Sequence, residues 1–136
     1  AQLIEKYVNS RANAKSYASL GAVRYLSTLA CVDGVVGNSS SGILEAPSCR
    51  VGTVNIGDRQ RGRLQAASVI SCTSNQEVIE NAIRQLMSED FKHIVQNVVS
   101  PFGDCGASER IVRIIKNQTN QSFNPKQFVD SGARTL

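Results

Sequence analysis

Aromatic and metal-binding side chains are scarce in this sequence of 136 residues. It contains no tryptophan, three tyrosines and four phenylalanines, and so lacks the stacking platforms with which proteins bind nucleic-acid bases. It has a single histidine, His93, and four cysteines that form no Cys-x-x-Cys pair. These absences argue against a nucleic-acid partner, a metal site and a redox motif, and we expect no cofactor.

Long apolar runs are missing as well. No run approaches the roughly 20 residues that a membrane-spanning helix needs, and residues 1–6 lack the charged-then-apolar order of a signal peptide. Those first residues resemble the middle of an uncapped helix, so we expect further sequence upstream. Apolar residues near Cys31 and Cys49 predict buried thiols in a reducing compartment. We therefore expect a cytoplasmic protein without a membrane partner.

Short apolar runs alternate with helical periodicities along the chain. Strands are predicted at 33–37, 52–56 and 68–71, with a further short candidate at 15–19. Helices are predicted at 2–9, 22–31, 43–48, 75–87, 89–98 and 107–116. This alternation predicts an α/β fold in which helices cover both faces of a parallel sheet. We expect one domain over residues 1–117, followed by a polar tail at 118–136.

Two loops that follow predicted strands have the composition of a phosphate site. Residues 37–42 read Gly-Asn-Ser-Ser-Ser-Gly, whose glycines let the backbone approach a ligand and whose hydroxyls donate hydrogen bonds. Residues 55–63 carry Arg59, Arg61 and Arg63, which account for part of a net charge of +4 and match phosphate oxygens. The alternatives are a serine-rich helix cap and a solvated basic loop, neither of which has a ligand.

Glu45 follows the first of these loops within one or two helical turns. A carboxylate beside an anion site suits a ribose diol, as in dinucleotide-binding folds, although acidic residues are also common near helix starts. His93 falls in a later helix and is expected at the surface, where it completes no catalytic set. The residues alone therefore predict a nucleotide- or phosphate-binding α/β unit without catalytic groups.

Both loops are similar to one enzyme family. Residues 36–47, Val-Gly-Asn-Ser-Ser-Ser-Gly-Ile-Leu-Glu-Ala-Pro, and 54–63, Val-Asn-Ile-Gly-Asp-Arg-Gln-Arg-Gly-Arg, closely resemble the hydrolysing UDP-N-acetylglucosamine 2-epimerases. Residues 19–21 and 97–104 resemble the same family, so that the similarity covers roughly residues 1–117. The resemblance implies a Rossmann-like sheet within the C-terminal domain of a GT-B-like two-domain enzyme, whose substrate lies between the domains.

The resemblance also implies a set of residues that bind UDP. These are Leu20, Gly21, Asn38, Ser39, Ser40, Gly42, Glu45 and Arg59. In that family the two serines would bind the diphosphate, Glu45 the ribose hydroxyls and Arg59 the phosphate side of the cleft. The backbone at Leu20 and Gly21 would flank the uracil. The family's catalytic groups come from sequence outside this chain, and we therefore expect no catalytic residue here.

The implied reaction converts UDP-N-acetylglucosamine and water to UDP and N-acetylmannosamine, a precursor of sialic and other nonulosonic acids. Three alternatives stay open: a glycosyltransferase domain of the same architecture, a hydrolysing epimerase for a UDP-diacetamido-trideoxy sugar, and a non-catalytic nucleotide-binding module. We expect UDP or UDP-N-acetylglucosamine as the ligand. We also expect a homo-oligomer, because this stretch leaves a sheet edge and apolar helix faces uncovered.

Overall fold

A computed structural model describes residues 2–103 and 106–118. The chain divides into two units, Ala1–Gly103 and Asp104–Leu136. The first contains five α-helices and three strands among its described residues: α1 Gln2–Asn9, α2 Gly21–Leu29, β1 Gly34–Gly37, α3 Ser41–Leu44, β2 Gly52–Ile56, β3 Val69–Cys72, α4 Gln76–Leu86 and α5 Glu89–Gln96. A short 3₁₀ helix spans Pro47–Cys49, and the second unit contains α6, Ala107–Gln118.

The strands form one parallel sheet in the order β1-β2-β3. Asn55 near the end of β2 lies opposite Gly37 of β1 and Ser71 of β3. The carboxyl ends of all three strands therefore meet at one edge of the sheet. This confirms the predicted parallel sheet, and the observed strands agree with three of the predicted runs.

Helices pack on both faces of this sheet, as predicted. Val54 is fully buried and packs with Ala82, Leu86 and Phe91, which belong to α4 and α5. The preceding residue, Thr53, points to the opposite face because side chains alternate along a strand. There its hydroxyl donates to the carbonyl oxygen of Gly42 in α3 at 2.8 Å. The central strand is thus covered by α4 and α5 on one face and by α3 on the other.

A second apolar cluster joins α2 to the segment between α3 and β2. Its buried members are Leu29, Ala46 and Val51, and Tyr25, Val35 and Cys49 pack against them. Val35 of β1 alternates with Gly34, whose Cβ position faces Leu86. The cluster therefore lies on the α3 face of the sheet and holds α2 against it.

Side-chain caps explain where α4 and α5 begin. Asn75 Oδ1 accepts hydrogen bonds from the N–H groups of Glu77 and Val78 at 3.0 and 3.2 Å. Ser88 Oγ accepts from the N–H of Phe91 at 3.3 Å. Each cap satisfies backbone donors that have no partner inside the helix.

Two predicted elements are wrong in detail. Residues 15–19 form no strand, and only Tyr17 among them is a residue type that is enriched in strands. The helix predicted at 43–48 begins two residues earlier, at Ser41, and ends at Leu44 before the 3₁₀ helix at Pro47. Proline has no N–H with which to continue the α-helical hydrogen bonds.

The burial predictions also need correction. Cys31 is exposed, because it lies in the turn just after α2, and Cys49 is only partly buried. Both are free thiols, as is Cys72. The isoleucines of α6 are exposed, and that helix has no buried residue. Cys105 and most of the predicted tail, residues 119–136, lie outside the described part of the chain. No described helix is long and apolar enough to cross a membrane.

Replacing Leu86 with alanine tests the core on the α4 face. Leu86 is 5% exposed, and its loss should leave a cavity under β2 that lowers the free energy of unfolding by about 2–5 kcal/mol. Urea unfolding followed by circular dichroism measures the change. Val78→Ala on the same helix is the control, because Val78 is 41% exposed and should cost much less. Equal losses in the two variants would contradict this packing.

Candidate functional site

The carboxyl edge of the sheet brings together the segments that follow its three strands. Residues 38–40 follow β1, residues 57–63 follow β2, and residues 73–75 connect β3 to α4. Ligands of open parallel sheets bind at this edge. The two loops singled out in the sequence are therefore neighbours, as the parallel topology requires.

The serine loop, residues 37–42, leads directly into α3, which begins at Ser41. Ser39 Oγ accepts from the N–H of Ser41 at 3.4 Å, and the Ser40 carbonyl accepts from Leu44 at 2.9 Å. The N-cap residue of α3 is Ser40, whose side chain makes no cap hydrogen bond, so the serine-rich cap that was the alternative to a ligand is present only as the long Ser39 contact. With four residues, α3 has few aligned peptide dipoles. Anion binding here therefore depends on individual hydroxyl and N–H groups and on nearby positive charge.

Gly42 allows α3 to lie close against β2. A Cβ added at Gly42 would lie 2.6 Å from Thr53 Cγ2, so a larger residue cannot fit without movement. Thr53, 2% exposed, also donates its buried hydrogen bond to the Gly42 carbonyl. The lack of a side chain at Gly42 therefore permits the packing that positions the serine loop.

The arginine loop, residues 57–63, leaves two exposed guanidiniums, those of Arg59 and Arg63, without an ion pair among the described residues. Gly57 N–H donates to the Cys72 carbonyl at 2.8 Å, which extends the pairing of β2 with β3. Arg61 lies 3.9 Å from Asp58, and both side chains are highly exposed. Arg59 is exposed and forms an ion pair with no described residue. Arg59 is thus free to meet a phosphate, whereas Arg61 is partly neutralised.

A hydrogen bond joins the two loops. Gln60 Nε2 donates to the carbonyl oxygen of Asn38 at 2.9 Å across 22 residues of sequence. Gln60 is 2% exposed, although it lies in a polar, arginine-rich loop. The sequence reasoning missed it, because a glutamine among arginines carries no signal of burial.

The segment around Leu20 and Gly21 forms a shallow pocket. Its lining residues are Tyr17, Ser19, Leu20, Gly21, Ala22 and Tyr25. Gly21 has a φ of +66°, a backbone conformation that side chains disfavour. The hydroxyls of Tyr25 and Ser41 share a hydrogen bond. This contact links the pocket to the serine loop, so that the predicted uracil and diphosphate segments are connected.

Glu45 contains an oxygen that lacks a partner. Its N–H donates to the Ser41 carbonyl at 2.9 Å, which places Glu45 one turn beyond the serine loop. The Oε2 atom is buried and accepts no hydrogen bond from the described residues. A buried carboxylate oxygen without a donor is costly, on the order of 1–3 kcal/mol or more. A turn of the Glu45 side chain toward the sheet edge would let a ligand with hydroxyl donors remove that cost.

The other helix start at this edge is closed to anions. Asn75 caps the first N–H groups of α4, and Glu77 and Glu80 line the adjacent shallow pocket. Their charges repel a phosphate. The anion-binding capacity of the edge therefore lies on the side of α3.

Further titratable groups lie on α5, whose Phe91 and Val95 pack at the position of Gly52, the first residue of β2. His93 is exposed on α5, as predicted. Lys92 on the same helix donates to Glu89 Oε1 at 2.7 Å, and this hydrogen bond lowers the pKa of Glu89 and raises the pKa of Lys92 from their ordinary values. Within residues 2–103 and 106–118, no three His, Cys, Asp or Glu side chains are grouped to hold a metal ion.

The sequence also carries no sign of a series of side-chain hydrogen bonds that crosses from β2 to β3. Asn55, 2% exposed, donates to Ser71 Oγ at 3.3 Å, and Ser71 donates to Gln65 Oε1 at 3.0 Å. Asn55 Oδ1 is buried and has no described partner. The strand pattern gave Asn55 no role beyond its place in the motif, because cross-strand neighbours depend on register.

Comparison with known proteins identifies relatives. Residues 1–116 match the family model described as UDP-N-acetylglucosamine 2-epimerase. The chain is 40% identical over 99 residues to polysialic acid biosynthesis protein P7 of Escherichia coli, an alignment that covers 73% of this chain and 25% of that protein. It is 31% identical over 131 residues to the hydrolysing GDP/UDP-N,N'-diacetylbacillosamine 2-epimerase of Campylobacter jejuni. That alignment covers 95% of this chain and 34% of that protein.

A third relative supports the same grouping. The hydrolysing UDP-N,N'-diacetylbacillosamine 2-epimerase of Legionella pneumophila is 30% identical over 115 residues, which cover 85% of this chain and 29% of that protein. The chain thus spans about a quarter to a third of the length of these curated relatives.

A double substitution tests the close approach of α3 to β2. Gly42→Ala should lower the free energy of unfolding by about 1–3 kcal/mol, because the new methyl group overlaps Thr53 Cγ2. Thr53→Ser removes that methyl group and keeps the hydroxyl that donates to Gly42. The double variant should therefore be more stable than the sum of the single changes predicts, as measured by urea unfolding. Strict additivity would contradict the contact.

Proposed function

The chain belongs to the UDP-N-acetylglucosamine 2-epimerase family, and we propose that it supplies the UDP-binding part of a hydrolysing UDP-sugar 2-epimerase. The observation that carries this proposal is the buried, unpartnered Oε2 of Glu45 one turn beyond the serine loop. A ribose diol offers two hydroxyl donors to this carboxylate once its side chain turns toward the sheet edge. Inorganic phosphate offers no comparable match, because a carboxylate repels it.

The loops beside Glu45 suit a diphosphate. Ser39 and Ser40 offer hydroxyl and backbone donors, and Asn38 is held to the arginine loop through Gln60. Arg59 is exposed, and no described acidic side chain pairs with it. Its guanidinium would therefore supply the positive charge that a short helix cannot.

The pocket at Leu20 and Gly21 suits the uracil. Its tyrosines and backbone groups provide an apolar surface with polar edges, and Tyr25 connects it to Ser41. The proposed binding residues remain Leu20, Gly21, Asn38, Ser39, Ser40, Gly42, Glu45 and Arg59, with Gly42 acting through its packing on Thr53.

For the reaction, we propose hydrolysis with inversion at C2 of the sugar. UDP leaves C1 as the C2 proton is removed, water adds to C1 of the resulting glycal, and a proton returns to the opposite face of C2. The residues of this chain hold the departing UDP. The acid and base groups come from sequence outside this chain, and we assign no catalytic residue within it.

Two sugars have support from named relatives. UDP-N-acetylglucosamine, which would give N-acetylmannosamine for sialic acid synthesis, is favoured by the family description and by the polysialic acid protein of E. coli. A UDP-diacetamido-trideoxy sugar is favoured by the names of the two bacillosamine epimerases. We propose UDP-N-acetylglucosamine, since the relative named for polysialic acid has the highest identity of the three described.

Three further features belong to this proposal. The UDP-binding domain would cover residues 1–117 and be followed by a tail at 118–136. The intact enzyme would be a cytoplasmic homo-oligomer. Exposed apolar residues in the first unit, including Leu3 at 85% and Val23 at 81%, support contacts with further protein surface.

The nucleotide assignment is tested by Glu45→Ala with two ligands in the full-length protein. Calorimetry should show UDP binding weakened by about 10-fold or more, because hydrogen bonds to a charged acceptor are lost. Binding of 2′,3′-dideoxyuridine diphosphate, which lacks both hydroxyls, should be weak in the parent protein and unchanged by the substitution. Glu77→Ala is the matched control, since it removes an exposed negative charge from the same edge. Equal effects on both ligands would contradict a ribose contact.

The reaction is tested by product analysis of the full-length protein. With UDP-N-acetylglucosamine in water we expect UDP and free N-acetylmannosamine, detected by NMR, with deuterium incorporated at C2 in heavy water. Turnover of the diacetamido sugar alone would favour the second substrate. Transfer of the sugar to an acceptor would support a glycosyltransferase, and UDP binding without turnover would support a binding module.

A further inference from the structure

The hydrogen bond between Gln60 and Asn38 lies between two ligand-binding positions. Asn38 immediately precedes Ser39, and Gln60 immediately follows Arg59. The 2.9 Å hydrogen bond from Gln60 Nε2 to the Asn38 carbonyl oxygen therefore joins the two loops through the residues that adjoin Ser39 and Arg59. Adjacent Cα atoms are about 3.8 Å apart, so fixing one residue restricts the next.

The Gln60 side chain is buried and held in place, unlike the side chains beside it in the loop. It is 2% exposed, whereas Arg59 and Arg61 on either side are exposed. Its backbone carbonyl accepts from the N–H of Arg63 at 3.3 Å, which closes the loop around it. A buried amide in one rotamer gives the loop a fixed attachment that the solvated arginines cannot supply.

We propose that Gln60 is a positioning residue that holds Arg59 opposite Ser39 and Ser40, so that the two loops bind the diphosphate as one unit. This inference rests on the proposed function, since it assumes that these loops bind a nucleoside diphosphate. Gln60 itself contacts the Asn38 backbone and not the ligand. Its contribution is to hold the arginine loop in place before the ligand arrives, which lowers the ordering cost of binding.

The glutamine side chain suits this role better than its close analogues. Ionised glutamate has the same shape but no Nε2 donor, and it would place a carboxylate oxygen against the Asn38 carbonyl. Methionine keeps the length and volume but has no donor. Both substitutions therefore remove the hydrogen bond while largely preserving the packing of the buried side chain.

A structural control lies at the other end of the sheet. Ser88 caps α5 through the N–H of Phe91. It lies two residues after Leu86, whose side chain contacts the positions of Gly34 and Gly52 at the starts of β1 and β2. Ser88→Ala should lower the urea midpoint of the protein without touching the ligand edge.

The experiment compares the parent protein, Gln60→Met, Gln60→Glu and Ser88→Ala, each as the full-length protein. UDP and uridine are titrated by NMR, and hydrogen exchange of the backbone amides in residues 38–44 is measured without ligand. We expect the Gln60 variants to bind UDP about 5- to 30-fold more weakly, because a buried acceptor loses its donor. Uridine binding should change by less than about 2-fold, since uridine has no phosphate for the loops to hold.

The remaining measurements separate positioning from general destabilisation. Exchange at residues 38–44 should accelerate in both Gln60 variants and stay unchanged in Ser88→Ala, which should also keep the parent affinity for UDP. Parent-like UDP affinity in the Gln60 variants, or equal losses for UDP and uridine, would overturn the positioning role and leave the proposed function intact. A parent protein that does not bind UDP would overturn the proposed function and this role together.

Discussion

The parallel register of β2 with its two neighbouring strands is the constraint on which the candidate site at the carboxyl edge of the sheet depends. Gly37, Asn55 and Ser71 lie side by side across the three strands, so that the loops after all three strands begin at the same edge of the sheet. A shift of one residue would exchange the faces of Thr53 and Val54. Thr53 would then lie against α4 and α5, and α3 would lose the partner that holds Gly42.

The segments at this edge are connected by a few polar contacts rather than by a large apolar interface. Thr53 fixes α3 to β2, Gln60 fixes the arginine loop to Asn38, and Tyr25 connects α2 to Ser41. Each hydrogen bond contributes only about 1 kcal/mol to folding. Their larger effect is to order the loops in advance, which reduces the entropy lost when a ligand binds. The stability of the unit comes instead from the apolar clusters on the two faces.

Charge at the edge is distributed so that one region attracts an anion and another repels it. Arg59 is exposed without an acidic partner in the described ranges, while Arg61 has Asp58 nearby. Exposed ion pairs of that kind contribute little to stability, but they reduce the charge available to a ligand. The start of α4 is capped by Asn75 and flanked by Glu77 and Glu80. A nucleotide with its phosphates near α3 and its ribose near Glu45 is consistent with this pattern.

The sequence by itself determined the α/β class, three of the strands and the two loops, because alternating apolar runs, glycines and clustered arginines are local signals. It misplaced a strand at 15–19 and predicted that Cys31 is buried, since pairing and burial depend on neighbours distant in sequence. Only the tertiary structure decided that Gly42 is required by Thr53 and that Gln60 is buried. Those contacts span 11 and 22 residues of sequence, and they exist only once the parallel sheet has brought the loops to one edge.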